Sequence, residues 1–333
     1  MQGLPLTSQR QAHLDGVRGV AIVLVLIEHF GGLHTGRLGV DTFFVLSGLL
    51  MSRVLFEDKL PLRRFYQNRI ARIFPVFYLY LAVVASCAWW QQQPPVDWNS
   101  LASAALYLRS YWPPTHIWTG PLPLGNLWSL NVEEHAYVVL SLAAWAAVAH
   151  GERAARWGLT ALSVGCVAAY LVYRWLPVEP GATPPELRTE CAALPLLLSA
   201  ALFLWGRAGR LAWLRSVGSL VWGLLLLSAG LAVTGALPAL ARINEFIVLP
   251  CLLALGIHLL QDAPPAVLRA LSTRWLTWLG LCSFSLYIWH YPFFYLDALN
   301  TMPVLVRMAG ALLLATLSFY AFEQPMRRWI RRW

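Results

Sequence analysis

Charged residues are scarce in this chain: only 12% of its 333 residues are Asp, Glu, Lys or Arg, while 58% are hydrophobic. The mean hydropathy is +0.57. Soluble globular domains usually contain about 25% charged residues and fewer apolar ones. The composition therefore excludes an ordinary soluble enzyme and indicates a membrane protein.

Cysteine is also rare, and its spacing excludes two kinds of small domain. Each of the five cysteines stands alone in or beside an apolar segment, without a CxxC or Cys/His pattern, so neither a disulfide framework nor a zinc site is expected. Glycine-rich phosphate loops, internal repeats and low-complexity tracts are missing as well. The connecting loops are too short to fold separately, so residues 1–333 are expected to form a single transmembrane domain.

Long apolar runs are what the sequence does contain. Runs of this length cross the hydrocarbon core of a bilayer as helices, so we predict an all-α, polytopic membrane protein with about ten transmembrane helices. The predicted segments are 13–31, 37–55, 71–90, 127–149, 157–176, 191–206, 212–232, 243–261, 275–296 and 303–323.

The distribution of basic residues predicts the orientation of these helices. With the N-terminus in the cytoplasm, 18 of the 25 lysine and arginine residues fall on the inner side and six on the outer side, while Arg18 lies inside the first helix. Basic residues collect in cytoplasmic loops, so both termini are expected to be cytoplasmic. The net charge of +9 follows from this topology and requires no nucleic-acid partner.

Ionisable residues mark one face of the first helix. Arg18 and His29 are eleven positions apart, which brings a helical side chain back to within about 20° of its first direction, and Asp15 shares that face. A charged side chain inside a membrane costs at least about 2.5 kcal/mol and usually faces the bundle interior. We predict that this face lines a functional site. The alternative places Arg18 at the inner headgroups and His29 at the outer interface. Glu28 points about 100° away from His29 and is interpreted as a second acid, a helix-packing partner or an interfacial residue.

Six sequence blocks resemble the acyltransferase-3 family of integral membrane acyltransferases. In the family's order, they are HLDGVRGVAIVLVLIEH, GRLGVDTFFVLSGLLMSRVLF, FYQNRIARIFPVFYLY, NLWSLNVEEHAYVV, CSFSLYIWHYPFF and FEQPMRRW. The resemblance implies ten membrane helices in a bacterial inner membrane. It also implies transfer of an acyl group, usually acetyl from acetyl-CoA, to a hydroxyl that is most often on a sugar. Many relatives append an extracytoplasmic domain, whereas this chain ends at RRWIRRW and is expected to complete the transfer alone or to need a partner.

His29 is the predicted catalytic residue, because transfer to an alcohol requires a base for the hydroxyl proton and histidine accepts protons at neutral pH. It matches the position of the family's catalytic histidine, either as base or as acyl carrier. Asp41 is predicted to orient it by a hydrogen bond, or alternatively to cap the second helix. Glu134 is slightly preferred to Glu133 as an acidic residue of the site, and at least one of the two is expected to be paired or protonated.

The other candidates concern the donor and the acceptor. Arg69 and Arg72 share a helix face and match a family pattern, so they are predicted to bind the phosphates of CoA, with topology charge or anionic-lipid binding as the alternative. His290 is either a wall of the site or a buried structural residue. The predicted substrate contacts are Asp15, Arg18, Glu133 and His290.

Tryptophan is concentrated on the predicted outer side, where an aromatic belt is the ordinary explanation and stacking on a sugar the alternative. These tryptophans are Trp89, Trp90, Trp98, Trp112, Trp118 and Trp128. The expected partners are acyl-CoA as donor, a carbohydrate or lipid-linked glycan as acceptor, and the lipid bilayer. We expect no permanently bound cofactor.

Two other functions are compatible with these features. Acylation of a small secondary metabolite such as a macrolide, known in the family, needs the same chemistry. A transporter or flippase would use the intramembrane charges as a path, but the sequence shows no inverted repeat and no paired Gly/Pro breaks. Release of free CoA distinguishes an enzyme from a transporter.

Overall fold

The structure is a computed structural model that describes residues 11–91, 96–113, 117–118, 120–177, 182–296, 299 and 301–332. Within these ranges all regular secondary structure is helical. Arg10, one of the basic residues assigned to the inner side, lies outside the described residues. The predicted all-α, polytopic class is confirmed.

The helices follow the predicted segments closely in order and in length. They are α1 (Ala12–Gly31), α2 (Gly36–Ser52), α3 (Leu62–Gln91), α4 (Trp98–Ala105), α5 (Trp128–His150), α6 (Glu152–Tyr173), α7 (Thr189–Ala192), α8 (Leu194–Arg207), α9 (Gly218–Thr234), α10 (Pro238–Ile243), α11 (Leu249–Leu259), α12 (Pro265–Leu271), α13 (Arg274–Tyr295), α14 (Val304–Ser318) and α15 (Gln324–Ile330).

Eight helical segments of the described chain are long and apolar enough to cross a membrane. They do not include α1 and α13, which carry the polar residues of the predicted site and pack against each other. At 20 and 22 residues, both helices are nevertheless long enough to span the hydrocarbon core. The total of ten transmembrane helices, and the cytoplasmic location of the termini, therefore remain predictions. Below, "inner" and "outer" denote the ends that the basic residues predict to be cytoplasmic and extracytoplasmic.

Some boundaries differ from the prediction because polar residues continue a helix beyond its apolar part. Helix α3 begins at Leu62 and not near residue 71, since its first turns carry the arginines of the inner loop. The predicted segment 243–261 is composite: α10 leads into a π-helical turn at Asn244–Val248, which leads into α11. Apolar length alone predicts neither feature.

Helix α1 lies at the centre of the bundle, where it packs along α13, α2 and α12. Glycines permit this close packing, as is common between membrane helices. A Cβ atom at Gly280 of α13 would overlap the carbonyl oxygen of Asp15, and one at Gly48 of α2 would overlap the carbonyl oxygen of Leu196 in α8.

Replacing Gly280 by alanine is expected to destabilise the protein, because the added methyl group meets backbone atoms that cannot move independently of α1. Overpacking of this kind costs about 1–3 kcal/mol. Gly165→Ala in α6 is a matched control, since a Cβ there meets nothing within 4 Å. Thermal unfolding in detergent measures both, and equal midpoints would contradict the close α1–α13 packing.

Candidate active site

Two cavities lie one above the other within the bundle, and Val40 and Tyr287 line both. The outer cavity has a volume of about 180 Å³. Its lining residues are Val25, Glu28, His29, Gly36, Arg37, Val40, Trp118, Asn126, Trp128, Leu187, Glu245, Phe246 and Tyr287. The inner cavity has a volume of about 60 Å³. Its lining residues are Arg18, Val40, Phe43, Phe44, Ser47, Arg69, Arg72, Ile73, Ser129, Leu130, Glu133, Ser283, Phe284 and Tyr287.

The predicted polar face of α1 reaches both cavities. Arg18 lines the inner cavity and His29 lines the outer one, while Ile22 between them is fully buried. Asp15 is buried and its Oδ1 lies 3.6 Å from Nη1 of Arg18. The face that the eleven-residue spacing predicts therefore lies inside the bundle. The alternative, with Arg18 at the inner headgroups and His29 at the outer interface, does not agree with this arrangement.

The imidazole of His29 is held with one nitrogen available to the cavity. Its Nδ1 donates to the carbonyl oxygen of Val25 at 3.0 Å. Because a carbonyl only accepts, the ring hydrogen must be on Nδ1, and in the neutral ring Nε2 then carries the lone pair. The backbone of α1 itself thus sets the tautomer that a general base requires.

Aromatic residues of α13 fix the plane of the His29 ring. The centroid of His290 lies 4.9 Å from that of His29, and the centroid of Phe294 lies 4.5 Å away. His290 is fully buried, and its Nδ1 donates to the carbonyl oxygen of Leu286 at 3.0 Å. It is not among the described residues that line either cavity, so its geometry corresponds to the structural alternative, with its ring packed behind the candidate base.

The predicted hydrogen bond between Asp41 and His29 is not formed. Both carboxylate oxygens of Asp41 accept from Nε of Arg37, at 3.0 and 3.1 Å. Asp41 does not cap α2 either, because that helix begins at Gly36 and places Asp41 in its second turn. The first backbone N–H of α2, that of Gly36, is instead bound by Glu28 of α1, whose carboxylate accepts from it. Glu28 therefore stabilises the start of α2, a role that its position beside His29 in the sequence does not predict.

Arg69 and the two adjacent glutamates form a buried ion cluster at the inner cavity. Nη2 of Arg69 lies 3.6 Å from Oε1 of Glu133 and 3.5 Å from Oε1 of Glu134. Glu133 also accepts from Oγ of Ser47 at 2.5 Å and from the hydroxyl of Tyr137. The cluster joins α2, α3 and α5, and the expected pairing of at least one glutamate is confirmed. Ser47 is thus a hydrogen-bond donor to the cluster.

The preference for Glu134 over Glu133 does not agree with the geometry. Glu133 lines the inner cavity, whereas Glu134 is not among the described lining residues of either cavity. Neither carboxylate reaches the cavity of His29. Glu134 instead accepts from Nη2 of Arg69, the same nitrogen that Glu133 contacts, so its contacts are those of the ion cluster.

Arg72 is placed differently from its neighbour Arg69. Its side chain is half-buried and lines the inner cavity together with Arg18. Among the described residues it has no ion pair or hydrogen bond, whereas the guanidinium of Arg69 is already bound by carboxylates. Of the two predicted CoA contacts, Arg72 is the one whose charge is available to an anionic substrate.

Sequence reasoning missed three residues of the outer cavity. The sequence places Arg37 only among the six outer basic residues, and it does not identify Asn126 or Glu245 as site residues. Their signals were weak: Asn126 stands at the start of the NLWSL block, and Glu245 is an isolated carboxylate in an apolar segment. An isolated acidic residue within a membrane segment is itself a reason to expect a functional site.

The family model described as an acyltransferase domain matches residues 11–324 of the chain. The chain belongs to this acyltransferase family. The membership agrees with the resemblance of the six blocks, and the matched residues include α1 to α14. No solved structure matches the chain.

Curated relatives of the chain include proteins named for O-acetylation of peptidoglycan. A Bacillus subtilis protein named as a peptidoglycan O-acetyltransferase is 26% identical and covers 94% of this chain. The Listeria monocytogenes peptidoglycan O-acetyltransferase is 26% identical and covers 95%. A Komagataeibacter xylinus protein named as a membrane-bound transacylase is 29% identical and covers 85% of this chain and 72% of its own length. The chain spans about half of the first two, 54% and 55% respectively.

Proposed function

We propose that the chain is a membrane O-acetyltransferase that moves an acetyl group from acetyl-CoA to a carbohydrate hydroxyl. The donor binds from the inner side and the acceptor from the outer side. The observation that carries the proposal is the pair of cavities on one face of α1, with Arg18 in the inner cavity and His29 in the outer one.

The charges of the two cavities suit different substrates. Arg18, Arg69 and Arg72 line the inner cavity, and the guanidinium of Arg72 has no ion pair among the described residues, so this end favours the phosphates of CoA. The pantetheine arm passes Val40 and Tyr287, which line both cavities, and brings the thioester to His29. The outer cavity is not dominated by basic residues and receives the acceptor.

The chemistry at His29 follows from its tautomer. Nε2 takes the proton of the acceptor hydroxyl as the oxygen attacks the thioester carbonyl. The new C–O bond forms, the C–S bond of acetyl-CoA breaks, and the proton passes from Nε2 to the departing sulfur. The hydrogen bond from Nδ1 to Val25 persists throughout and stabilises the imidazolium that forms between the two proton transfers.

The carbohydrate acceptor is supported by the named activities of the relatives and by the position of the outer cavity. Two relatives are named for O-acetylation of peptidoglycan, and the cavity includes the aromatic residues Trp118 and Trp128. Both tryptophans belong to the outer cluster for which stacking on a sugar was the alternative to an aromatic belt.

The proposal is tested by incubating the purified protein in detergent with radiolabelled acetyl-CoA and a membrane extract of its host. Label in a polysaccharide or glycolipid fraction, with release of one free CoA for each acetyl group, is the expected result. Label in a small organic-soluble metabolite would show that the acceptor is such a metabolite and not a carbohydrate. Absence of any CoA release would overturn the acetyltransferase proposal itself.

Arg72→Gln is expected to raise the KM for acetyl-CoA by about 10-fold with little change in kcat, because the guanidinium contributes to binding and not to the proton transfer. Steady-state kinetics with a saturating acceptor measures both values. Arg64→Gln, on the exposed start of α3, is the matched control. A KM that changes equally in the two variants would show that general surface charge, and not Arg72, binds the donor.

A further inference from the structure

The outer cavity contains a buried hydrogen-bond acceptor that the proposed mechanism does not use. Asn126 is only 3% exposed. Its Nδ2 donates to the carbonyl oxygen of Tyr287 at 2.8 Å, which fixes the amide, while its Oδ1 has no hydrogen-bond partner among the described residues. A buried polar atom without a partner destabilises the folded protein. A donor group on a ligand in the cavity would satisfy it.

Arg37 provides the complementary donor. Its Nε is bound to Asp41, and its guanidinium carbon lies 4.5 Å from the ring centroid of Phe246 and 5.6 Å from that of Trp128. These contacts fix the guanidinium in one orientation. Nη1 is buried and has no hydrogen-bond partner among the described residues. The cavity thus holds an immobile donor and an immobile acceptor, both unsatisfied.

A π-helical turn adds a carboxylate to the same wall. The turn Asn244–Val248 interrupts the helix between α10 and α11, and both Glu245 and Phe246 line the cavity. Two consecutive residues of an α-helix point about 100° apart. In the wider π-helical turn the side chains of Glu245 and Phe246 both face the outer cavity. Turns of this kind often occur at functional sites.

We propose that the outer cavity is a subsite for one uncharged sugar ring of the acceptor, held by Asn126, Arg37 and Glu245. This inference rests on the proposed carbohydrate O-acetyltransferase function. Each ring hydroxyl both donates and accepts a hydrogen bond, so a polyol satisfies Oδ1 of Asn126 as donor and Nη1 of Arg37 as acceptor. Glu245 accepts from another hydroxyl. The ring lies within reach of Trp118, whose indole also lines the cavity.

The charges around the cavity determine that the ring is uncharged. The single guanidinium of Arg37 is accompanied by the carboxyl groups of Glu28 and Glu245 in the lining and by Asp41, its bound partner. A carboxylate or phosphate on the ring would therefore meet more negative than positive charge. Like charges placed together at an interface cost several kcal/mol. A uronic acid or phosphorylated sugar is thus rejected at this subsite.

Acetyl transfer to a matched pair of sugars tests the subsite. The probes are p-nitrophenyl β-D-glucuronide and its methyl ester, which differ in charge but offer the same hydroxyls, with p-nitrophenyl β-D-glucoside as the neutral reference. We expect kcat/KM for the ester to exceed that for the free acid by at least about 10-fold. Glu245→Gln should lower transfer to the glucoside by about 5-fold, through loss of one hydrogen bond to a charged group. The same change should reduce the preference for the ester.

The matched control is Glu152→Gln, an exposed carboxylate that is bound to Arg207 and stands at the start of α6, outside the outer cavity. It should retain the full preference for the ester. Equal transfer to acid and ester by the wild-type protein would overturn the inference, and so would an unchanged preference in Glu245→Gln. Failure of every glycoside while host polysaccharide is labelled would also overturn it, because the subsite would then not bind a single ring. Failure to label any host fraction would instead refute the proposed function.

Discussion

Alanine at position 29 is expected to lower kcat for acetyl transfer by at least about 100-fold, the lower range of what a positioned general base contributes. The reason lies in the tautomer of His29. With Nδ1 bound to the carbonyl oxygen of Val25, Nε2 is the nitrogen that accepts a proton, and no other described histidine lines the outer cavity. The KM for acetyl-CoA should change little, because the proposed site for the CoA phosphates is the inner cavity.

The control for this variant is His34→Ala, an exposed histidine in the loop between α1 and α2. Its kcat should remain within a factor of about two of the wild-type value, as is usual for surface changes outside a site. Size-exclusion chromatography in detergent should show that both variants fold. A His29→Ala protein that transfers acetyl at the wild-type rate would remove this residue from the mechanism, whatever the fate of the acceptor proposal.

Much of the fold was predictable, because membrane insertion imposes a simple rule on the sequence. A helix that crosses the bilayer must be apolar over about 20 residues, and each predicted segment coincides with described helices. Polar parts of helices were less predictable. The first turns of α3 carry Arg63, Arg64 and Arg69, and a criterion based on apolar length excludes such charged turns from the predicted segment. Sequence alone also gave no sign of the π-helical turn at Asn244–Val248.

The candidate site was predictable where its residues share one helix. Asp15, Arg18 and His29 lie on one face because the 3.6-residue period of a helix fixes their directions. Pairings between helices were not predictable in this way. Asp41 is close to His29 in sequence, yet its carboxylate binds Arg37 on its own helix at the i, i+4 spacing. The choice among nearby partners depends on the rotation of α2 against α1, which the sequence does not specify.

Arg69 illustrates why a sequence match to a substrate-binding pattern leaves the physical role open. Its spacing from Arg72 predicted one shared function. In the structure Arg69 is only 6% exposed, its guanidinium carbon lies 3.7 Å from the ring centroid of Tyr137, and the guanidinium bridges two carboxylates. Arg72 has no ion pair among the described residues. Substitutions of the two arginines should therefore affect different properties. Replacing Arg72 should weaken the binding of acetyl-CoA, and replacing Arg69 should lower the stability of the bundle.

Arg69→Leu is accordingly expected to destabilise the protein by about 3–5 kcal/mol, the cost of removing one partner from a buried ion pair. The variant leaves Glu133 and Glu134 buried in the bundle without their cation. Thermal unfolding in detergent should show a large decrease in the midpoint. Arg207→Leu is the matched control, because Arg207 binds Glu152 in an exposed pair of a kind that contributes only about 0–1 kcal/mol.

A double variant separates this electrostatic explanation from a loss of packing. Arg69→Leu combined with Glu133→Gln removes the cation and one buried carboxylate together, and should recover part of the stability that Arg69→Leu loses. The amide of glutamine can still accept from Ser47, which bonds to Glu133 at 2.5 Å in the wild-type protein. If the double variant were less stable than Arg69→Leu, the role of Arg69 would be to fill space beside Tyr137. Recovery would instead show that the ion cluster holds α2, α3 and α5 together because its charges are balanced.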